Sequence, residues 1–527
     1  MERRHFLSGA ALALGSGLIP HRLALVSGQD ASQNSLEDSP PGAEPDNTHR
    51  LPAEDSHHRR VRSYIEETPV AGYHWASPAA YEAFGDMKYG VRIHWGLYSA
   101  AGFIHESWPF LDLDYPARAH YNLMYKTWNP TGFDADEWTS LFADNGMHMF
   151  AFTTKHHEGF SMFDTRTRVR NRIDWDGDRS PMIEDCDLAY SIMETPFRRD
   201  VVRELCEAGR KRGLRIALYF SHPDWYDADF RPYADHPAQV PSASDLDVEW
   251  EDSRKRLGKL LWMAPDPTPE QVTRMVARHR AQIEELLTNY GQIDMMSLDQ
   301  WLGPKVWPQL RQTLFRIRQL QPNVMLRARG IGNYGDYYTP EGFVPGDKAN
   351  TAMPWMVIYP LADGFSFDPV AAHYKGAKWI IHNIIDTAAK GGSFQVGIGP
   401  DATGRFHPTA IEQVKEVGVW MRTAGAGLYA TRARAGNLWR EGESILYTRS
   451  KDNRKVYCFA LDWPGSNLRL RAVKPEQGSA VTMFGYPENL DWKWDAASGL
   501  IIELPPAMAD PSRRPTQHAW GWTLQVS

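Results

Sequence analysis

From about residue 70 the chain alternates short runs of β-branched and aromatic residues with amphipathic stretches, the pattern of parallel α/β units. Strands are predicted at Lys88–His94, His148–Thr154, Leu214–Ser221, Ile293–Asp299, Asn323–Arg327 and Ser393–Ile398. The clearest helix precedes the fourth of these. Thr268 offers an N-cap, Pro269 takes the first helical position, and Gln271 completes a capping box. Val272, Met275, Val276, Ile283, Leu286 and Leu287 then recur at helical spacing as far as Tyr290 and Gly291. No glycine-rich phosphate loop follows any strand, so a (β/α)8-like barrel fits better than a doubly wound sheet. After about residue 430 the helical period stops. Short runs at 444–447, 455–460, 468–473, 482–484 and 500–504 predict a small antiparallel β-sandwich. The expected organisation is therefore a barrel over 66–430 and a sandwich over 431–527.

The residues ahead of the barrel read as an address and a linker. Arg3 and Arg4, with Phe6 and Leu7 behind them, precede an apolar run from Ala10 to Pro20, as in a twin-arginine export signal over 1–27. That run is too short for a stable anchor, so a soluble exported protein, periplasmic or extracellular, is expected. Residues 28–65 are polar and Pro-rich and are expected to form a disordered linker. Lys and Arg number 58 against 65 Asp and Glu, a net charge of −7, which argues against a nucleic-acid surface. With 42% hydrophobic residues the chain can bury a large core. Three cysteines exclude a disulfide framework. Aromatics reach 12%, and flat rings that stack on sugar faces lean the reading toward carbohydrate.

Chemistry in a barrel gathers at the C-terminal ends of the strands. Those ends carry His94 and Trp95; Lys155, His156, His157 and Glu158; Tyr219, Phe220, His222 and Asp224; Asp299; then Arg327 and Arg329, with a loop holding Asp336 and Glu341. Burying so many polar groups as mere packing costs several kcal/mol each unless they are paired. Two carboxylates on different strand ends, among His and Trp, are the ingredients of glycoside hydrolysis. Asp299 is the best nucleophile candidate because it ends the apolar strand of Ile293, Met295, Met296 and Leu298; the alternative use is a helix N-cap.

Three blocks make the chain resemble a known family. Tyr89 to Ser99 (YGVRIHWGLYS), Thr153 to Phe160 (TTKHHEGF) and Gly391 to Gly404 (GGSFQVGIGPDATG) look like signature blocks of the retaining α-L-fucosidases, in that family's order. The resemblance runs from about Tyr81 to Gly425. It implies a (β/α)8-like catalytic domain followed by a β-sandwich, and release of terminal α-L-fucose by double displacement without a cofactor. It implies further that Asp299 is the nucleophile and Glu341 the acid/base. The implied sugar-binding residues are His94, Trp95, Glu106, Trp108, His156, His157, Tyr219 and Arg329. The implied partner is a fucosylated oligosaccharide or glycoconjugate, with no nucleic acid and no membrane. Nothing in the sequence sets an oligomeric state.

This chain departs from the pattern in places. Ser107 separates Glu106 from Trp108, which are adjacent in many members, so one of the two contacts is expected to shift. Ser297 stands where the family usually has Trp. Met356 stands where many members have Glu, which pushes the acid/base role to Glu341, with Asp336 as runner-up in the same loop. Tyr219 and Phe220 compete for the aromatic position on the third strand. Adjacent His156 and His157 could ligate one ion only if the strand has already ended, and no His-Glu-x-x-His occurs, so no metal is expected. Trp128, Trp138 and Trp175 are read as outer sugar subsites or as packing. Two rival functions remain open at this point: a hydrolase of a related sugar such as an α-L-galactoside, and a non-catalytic carbohydrate-binding relative.

Overall fold

Seven parallel strands lie in one sheet: β1 (Tyr89–Ile93), β2 (Met149–Lys155), β5 (Arg215–Ser221), β6 (Met295–Asp299), β7 (Met325–Leu326), β8 (Met356–Pro360) and β9 (Ser393–Ile398). The hairpin of β3 (Val169–Asp174) and β4 (Met182–Leu188) stands outside that sheet. The structure, a computed structural model, describes residues 50–52, 55–177, 182–232, 236–237, 266–345 and 353–526. The sheet order is β7-β6-β5-β2-β1-β9-β8. Residues 337–341 occupy the remaining place between β7 and β8: Tyr337 bridges Arg327, Tyr338 bridges Trp355, and Glu341 bridges Ile358, all in parallel sense. Ala328 N donates to Tyr337 O (2.8 Å) and Met356 N donates to Tyr338 O (3.1 Å), so the ring closes with eight positions. Helices such as Val201–Lys211, Pro269–Thr288, Trp307–Leu320 and Ala377–Ala389 precede their strands, as a (β/α)8-like barrel requires.

Local signals account for much of this. The capping box at Thr268 is formed: its hydroxyl accepts from Gln271 N (3.3 Å) and the Gln271 carboxamide accepts from Thr268 N (2.8 Å). The floor of the barrel is apolar. Met149, Ala151, Ala217, Met295, Met325 and Met356 form one buried cluster capped by Phe84 and Met87 of the helix Pro78–Met87. One polar side chain enters this floor, Gln395 of β9, whose amide lies 3.1 Å from Met149 Sδ; the charged inward side chains described below stand above it, toward the C-terminal mouth.

The end of the expected linker proves ordered, while its earlier part and the export signal lie outside the described residues. The helix Ser56–Val61 starts at Asp55, whose carboxylate accepts from His58 N (3.0 Å). Leu51, Val61 and Ile65 are buried against the turn at Gly332 and Asn333. Past the helix end one further turn, in which Ile65 N donates to Val61 O (2.9 Å), sets Val61 and Ile65 on the same side.

The C-terminal region comprises β10 (Arg432–Ala433), β11 (Arg440–Glu441), β12 (Ile445–Arg449), β13 (Lys455–Ala460), β14 (Asn467–Leu470), β15 (Val481–Met483), β16 (Asn489–Leu490), β17 (Trp492–Asp495), β18 (Gly499–Glu503) and β19 (Trp520–Gln525). One antiparallel sheet runs β10-β12-β13-β19-β15-β16 with β11 on β12, and a second runs β14-β18-β17. Val456, Cys458, Trp522 and Leu524 of the first pack on Leu468, Leu470, Leu500 and Ile502 of the second, which makes a sandwich.

Candidate active site

The period of two along a strand decides which predicted residues reach the pocket. On β5 Tyr219 faces inward and donates its hydroxyl to Asp299 Oδ2 (2.7 Å), while Phe220 turns outward under Lys155 Nζ (4.4 Å from the ring centroid). Past β1, His94 faces inward, 5.8 Å in ring separation from Tyr219 and 5.9 Å from His156. Trp95 therefore turns the other way. It is fully buried among Trp128, Phe133 and Trp138, and its Nε1 donates to Asp401 O (2.9 Å). The expectation that Trp95 binds sugar is corrected: it anchors the 399–404 loop. Trp128 and Trp138 do the same, donating to Ala402 O (2.8 Å) and Gly404 O (3.0 Å), so they are packing rather than subsites. Trp175 is buried beside Tyr115 and Arg118.

Asp299 closes β6 at the mouth. Its Oδ1 accepts from Arg329 Nη1 (3.2 Å), with Arg327 Nη1 at 3.8 Å. The N-cap alternative fails, because the next helix starts at Trp307 with Val306 as its cap. Burial pushes the Asp299 carboxyl up, but Arg329, Arg327 and the Tyr219 hydrogen bond outweigh it and hold the group well below the usual carboxylate range. Arg329 also reaches Glu341: Nη2 lies 2.6 Å from Oε2, and Arg327 Nη2 lies 3.4 Å away. One guanidinium thus spans the two predicted catalytic carboxylates. The turn that allows this needs Gly330 (φ +78°), where a Cβ would stand 1.8 Å from Gln300 O.

Glu341 is 39% exposed at the rim; partial desolvation raises its carboxyl, but Arg329 with Arg327 outweighs this and holds it ionised below its ordinary value. It shares a cleft of about 520 Å³ with His105, Glu106, Trp108 and Phe365. Both members of the pair split by Ser107 thus remain at the pocket. The insertion is absorbed by a left-handed Glu106 (φ 48°), pinned where its N–H donates to Ser366 Oγ (3.1 Å) and its Oε1 accepts from Phe365 N (3.1 Å). Ser107 itself turns inward, with Oγ 2.5 Å from His156 Nδ1 in a hydrogen bond. Burial, then the charge of Glu341, pushes the Glu106 carboxyl up to about 8. Glu106 rather than Glu341 therefore holds the proton near neutral pH.

His156 and His157 follow a register shift at the end of β2, and their ring centroids lie 4.2 Å apart. His157 packs on Trp108 (4.7 Å) and Trp225 (5.4 Å). Burial keeps the imidazoles neutral at pH 7: His94 and His156 fall well below their usual value and His157 falls to about 4. Lys155 is not in the pocket. It pairs with Asp224 (3.3 Å), which also pairs with Arg278 (2.7 Å), a buried brace under the histidines. Gly159 (φ +86°) is needed here because a Cβ would meet Asp224 Oδ1 at 2.1 Å.

Asp336, the runner-up acid, is excluded by its position. Its oxygens accept from Ala76 N (2.9 Å), Tyr81 OH (2.8 Å), Leu326 N (2.6 Å) and Arg318 Nη2 (2.5 Å), all away from the mouth. Asp336→Ala leaves Arg318 buried without its partner and is expected to lower the unfolding free energy by roughly 3–5 kcal/mol, read as a shifted urea midpoint. Among the described residues one group brings three metal-type ligands together, Asp363, Asp368 and His373. There the imidazole is already paired to both carboxylates (3.1 and 2.8 Å).

Sequence reasoning gave no role to Arg92, Trp225 and Phe365, and placed Arg327 at a strand end without one. Arg327 and Arg329 follow β7 (Met325–Leu326) two apart, and both turn inward to Asp299 and Glu341. Phe365 lies 5.1 Å from His94, on a loop with no motif to mark it.

A parallel barrel with two arginine-linked carboxylates in an imidazole-lined mouth has the parts of a retaining glycosidase. The family model described as Alpha-L-fucosidase matches residues 66–426, and the one described as Alpha-L-fucosidase C-terminal domain matches 440–527. The chain belongs to the α-L-fucosidase family of glycoside hydrolases. It is 25% identical over 84% of its length to an α-L-fucosidase of Branchiostoma floridae, covering 92% of that protein. It is 24% identical to the plasma α-L-fucosidase of Homo sapiens, with 84% of this chain and 89% of that one covered. Among solved structures, an α-L-fucosidase from Bacteroides thetaiotaomicron superposes with a TM-score of 0.67 at 20% identity, covering 88% of this chain and 98% of the other.

Proposed function

We propose that this chain removes terminal α-L-fucose from glycans with retention of configuration. The observation that carries the reading is Arg329 bridging Asp299 and Glu341 at the barrel mouth. Asp299, kept ionised by its arginines, attacks the anomeric carbon; the glycosidic oxygen leaves with a proton, and water then cleaves the fucosyl ester. Glu341 is the acid and later the base, at the exposed rim where leaving group and water pass. In the free enzyme the cleft proton rests on Glu106. A sugar hydroxyl that draws Arg329 away frees Glu341 to take it up. The neutral His94, His156 and His157 and the hydroxyl of Tyr219 orient the sugar, with Trp108 as an apolar wall. Of the two rivals, the non-catalytic one is disfavoured by a complete pair of acids, and no side chain by itself selects a neutral α-L-galactoside.

The test is hydrolysis of an aryl α-L-fucoside and of fucosylated oligosaccharides, with the anomer first released followed by NMR; the α-anomer is expected, and the β-anomer would sink the double displacement. Run across pH, kcat/KM should fall as pH rises through about 8, because the proton on Glu106 is then lost.

Export by the segment around Arg3 and Arg4 belongs to this proposal. Among the described residues no helix is long and apolar enough to cross a membrane. Replacing Arg3 and Arg4 by lysines is expected to hold the protein in the cytoplasmic fraction of the producing cell.

A further inference from the structure

Arg92 is the one arginine of the pocket that the proposed mechanism leaves idle. It lies on β1 one inward position below His94, its guanidinium 4.8 Å over the Tyr219 ring. The side chain is 2% exposed, and both Nε and Nη2 are buried without a hydrogen-bond partner. Among the described residues no carboxylate is ion-paired with it, since Asp299 and Glu341 are taken by Arg327 and Arg329. Its strand neighbours are small, Ala151 on β2 and Gly397 on β9. Ser297, on the far side, is tied to Tyr337 (3.0 Å) rather than to Arg92.

The charges of the pocket do not cancel. Arg92, Arg327 and Arg329 face ionised Asp299 and Glu341, and Glu106 carries its proton near neutral pH. A buried cation with unmet donors is strongly disfavoured unless an anion reaches it. The reaction does not relieve the imbalance: as Asp299 bonds to the anomeric carbon its negative charge passes to the leaving oxygen and its proton donor, away from the sugar that carries the oxocarbenium character. A substrate bringing its own negative charge removes the penalty. A planar guanidinium suits anionic oxygens, to which it can donate two parallel hydrogen bonds.

We propose that Arg92 binds an anionic oxygen group, a sulfate ester or a carboxylate, carried by the terminal sugar, so that the preferred substrate is a charged α-L-fucoside rather than the plain one. This deepens the fucosidase reading and rests on it. The group sits at the floor of the pocket, below the ring of imidazoles, and is read by charge.

The test compares kcat/KM on 4-nitrophenyl α-L-fucoside, its 2-, 3- and 4-O-sulfates, and the analogue with the C6 methyl oxidised to carboxylate. At least one charged substrate is expected to exceed the neutral one by about tenfold or more, as a charge-assisted hydrogen bond in a dry site provides. The sulfates and the carboxylate tell the two sources of charge apart. In Arg92→Met the preference should collapse about tenfold or more while Arg92→Lys keeps part of it. Wild-type preference for the neutral fucoside over every charged one overturns the proposal, and so does an unchanged preference in folded Arg92→Met. Should that variant not fold, the wild-type comparison decides alone. Turnover of the neutral fucoside alone leaves the fucosidase reading standing without the anion site, whereas turnover of no member of the panel takes both down.

Discussion

Asp299→Ala is expected to lower kcat/KM on an aryl α-L-fucoside by about 10⁴-fold or more, the scale reached when a covalent nucleophile is removed. A good leaving group does not soften this loss, because the missing group is the one that attacks carbon. The structure also supplies a control for mere disruption. Asp299 accepts from Tyr219 and from Arg329, so its removal leaves buried donors unpaired and lowers stability as well as activity. Asp299→Asn retains an acceptor oxygen and most of the packing, and it should be equally inactive. Azide separates chemistry from folding. In Asp299→Ala a small anion can enter the vacated space beside Arg327 and Arg329 and attack the anomeric carbon, releasing the aryl group and giving β-L-fucosyl azide. Recovery of turnover with that inverted product is expected. A variant that keeps more than a tenth of wild-type activity, without azide, would remove Asp299 from the role.

Much of this site could be read from the chain because barrel geometry converts sequence position into place. Six strands were legible as apolar runs, and the ends of the first four carried His94, His156, Tyr219 and Asp299 into one mouth. What stayed hidden has physical causes. β8 (Met356–Pro360) is as long as β1 and β6 but ends in a proline, which demotes a run as a strand, and the closing segment 337–341 pairs by isolated bridges rather than a ladder. The β3-β4 hairpin carries polar and charged residues at positions a buried strand would fill with apolar ones, because it lies outside the barrel sheet. Trp95 was misplaced through its neighbour: the motif puts it beside His94, yet adjacent residues at a strand end face opposite sides, and the indole belongs to the wall. The ionisation of the acids could not be read at all. It depends on Arg327, Arg329 and Glu106 meeting from different elements of the chain.

That meeting sets the second large effect. Glu341→Gln is expected to cost about 10²–10⁴-fold in kcat/KM on a fucosylated oligosaccharide, whose poor leaving group needs the proton, and far less on a 4-nitrophenyl fucoside, whose first step does not. The aryl substrate should then show accumulation of the fucosyl-enzyme, since the base that activates water is also gone, and azide should speed its release with overall retention. Glu106→Gln separates the two carboxyls that share the cleft. It keeps a neutral side chain like the protonated Glu106, so binding should persist, while the fall of activity near pH 8 should move or vanish if that fall reports Glu106. Should Glu106→Gln instead show the leaving-group dependence and Glu341→Gln none, the acid would be Glu106, and the ion pair of Glu341 with Arg329 would be a clamp that holds the arginine over Asp299.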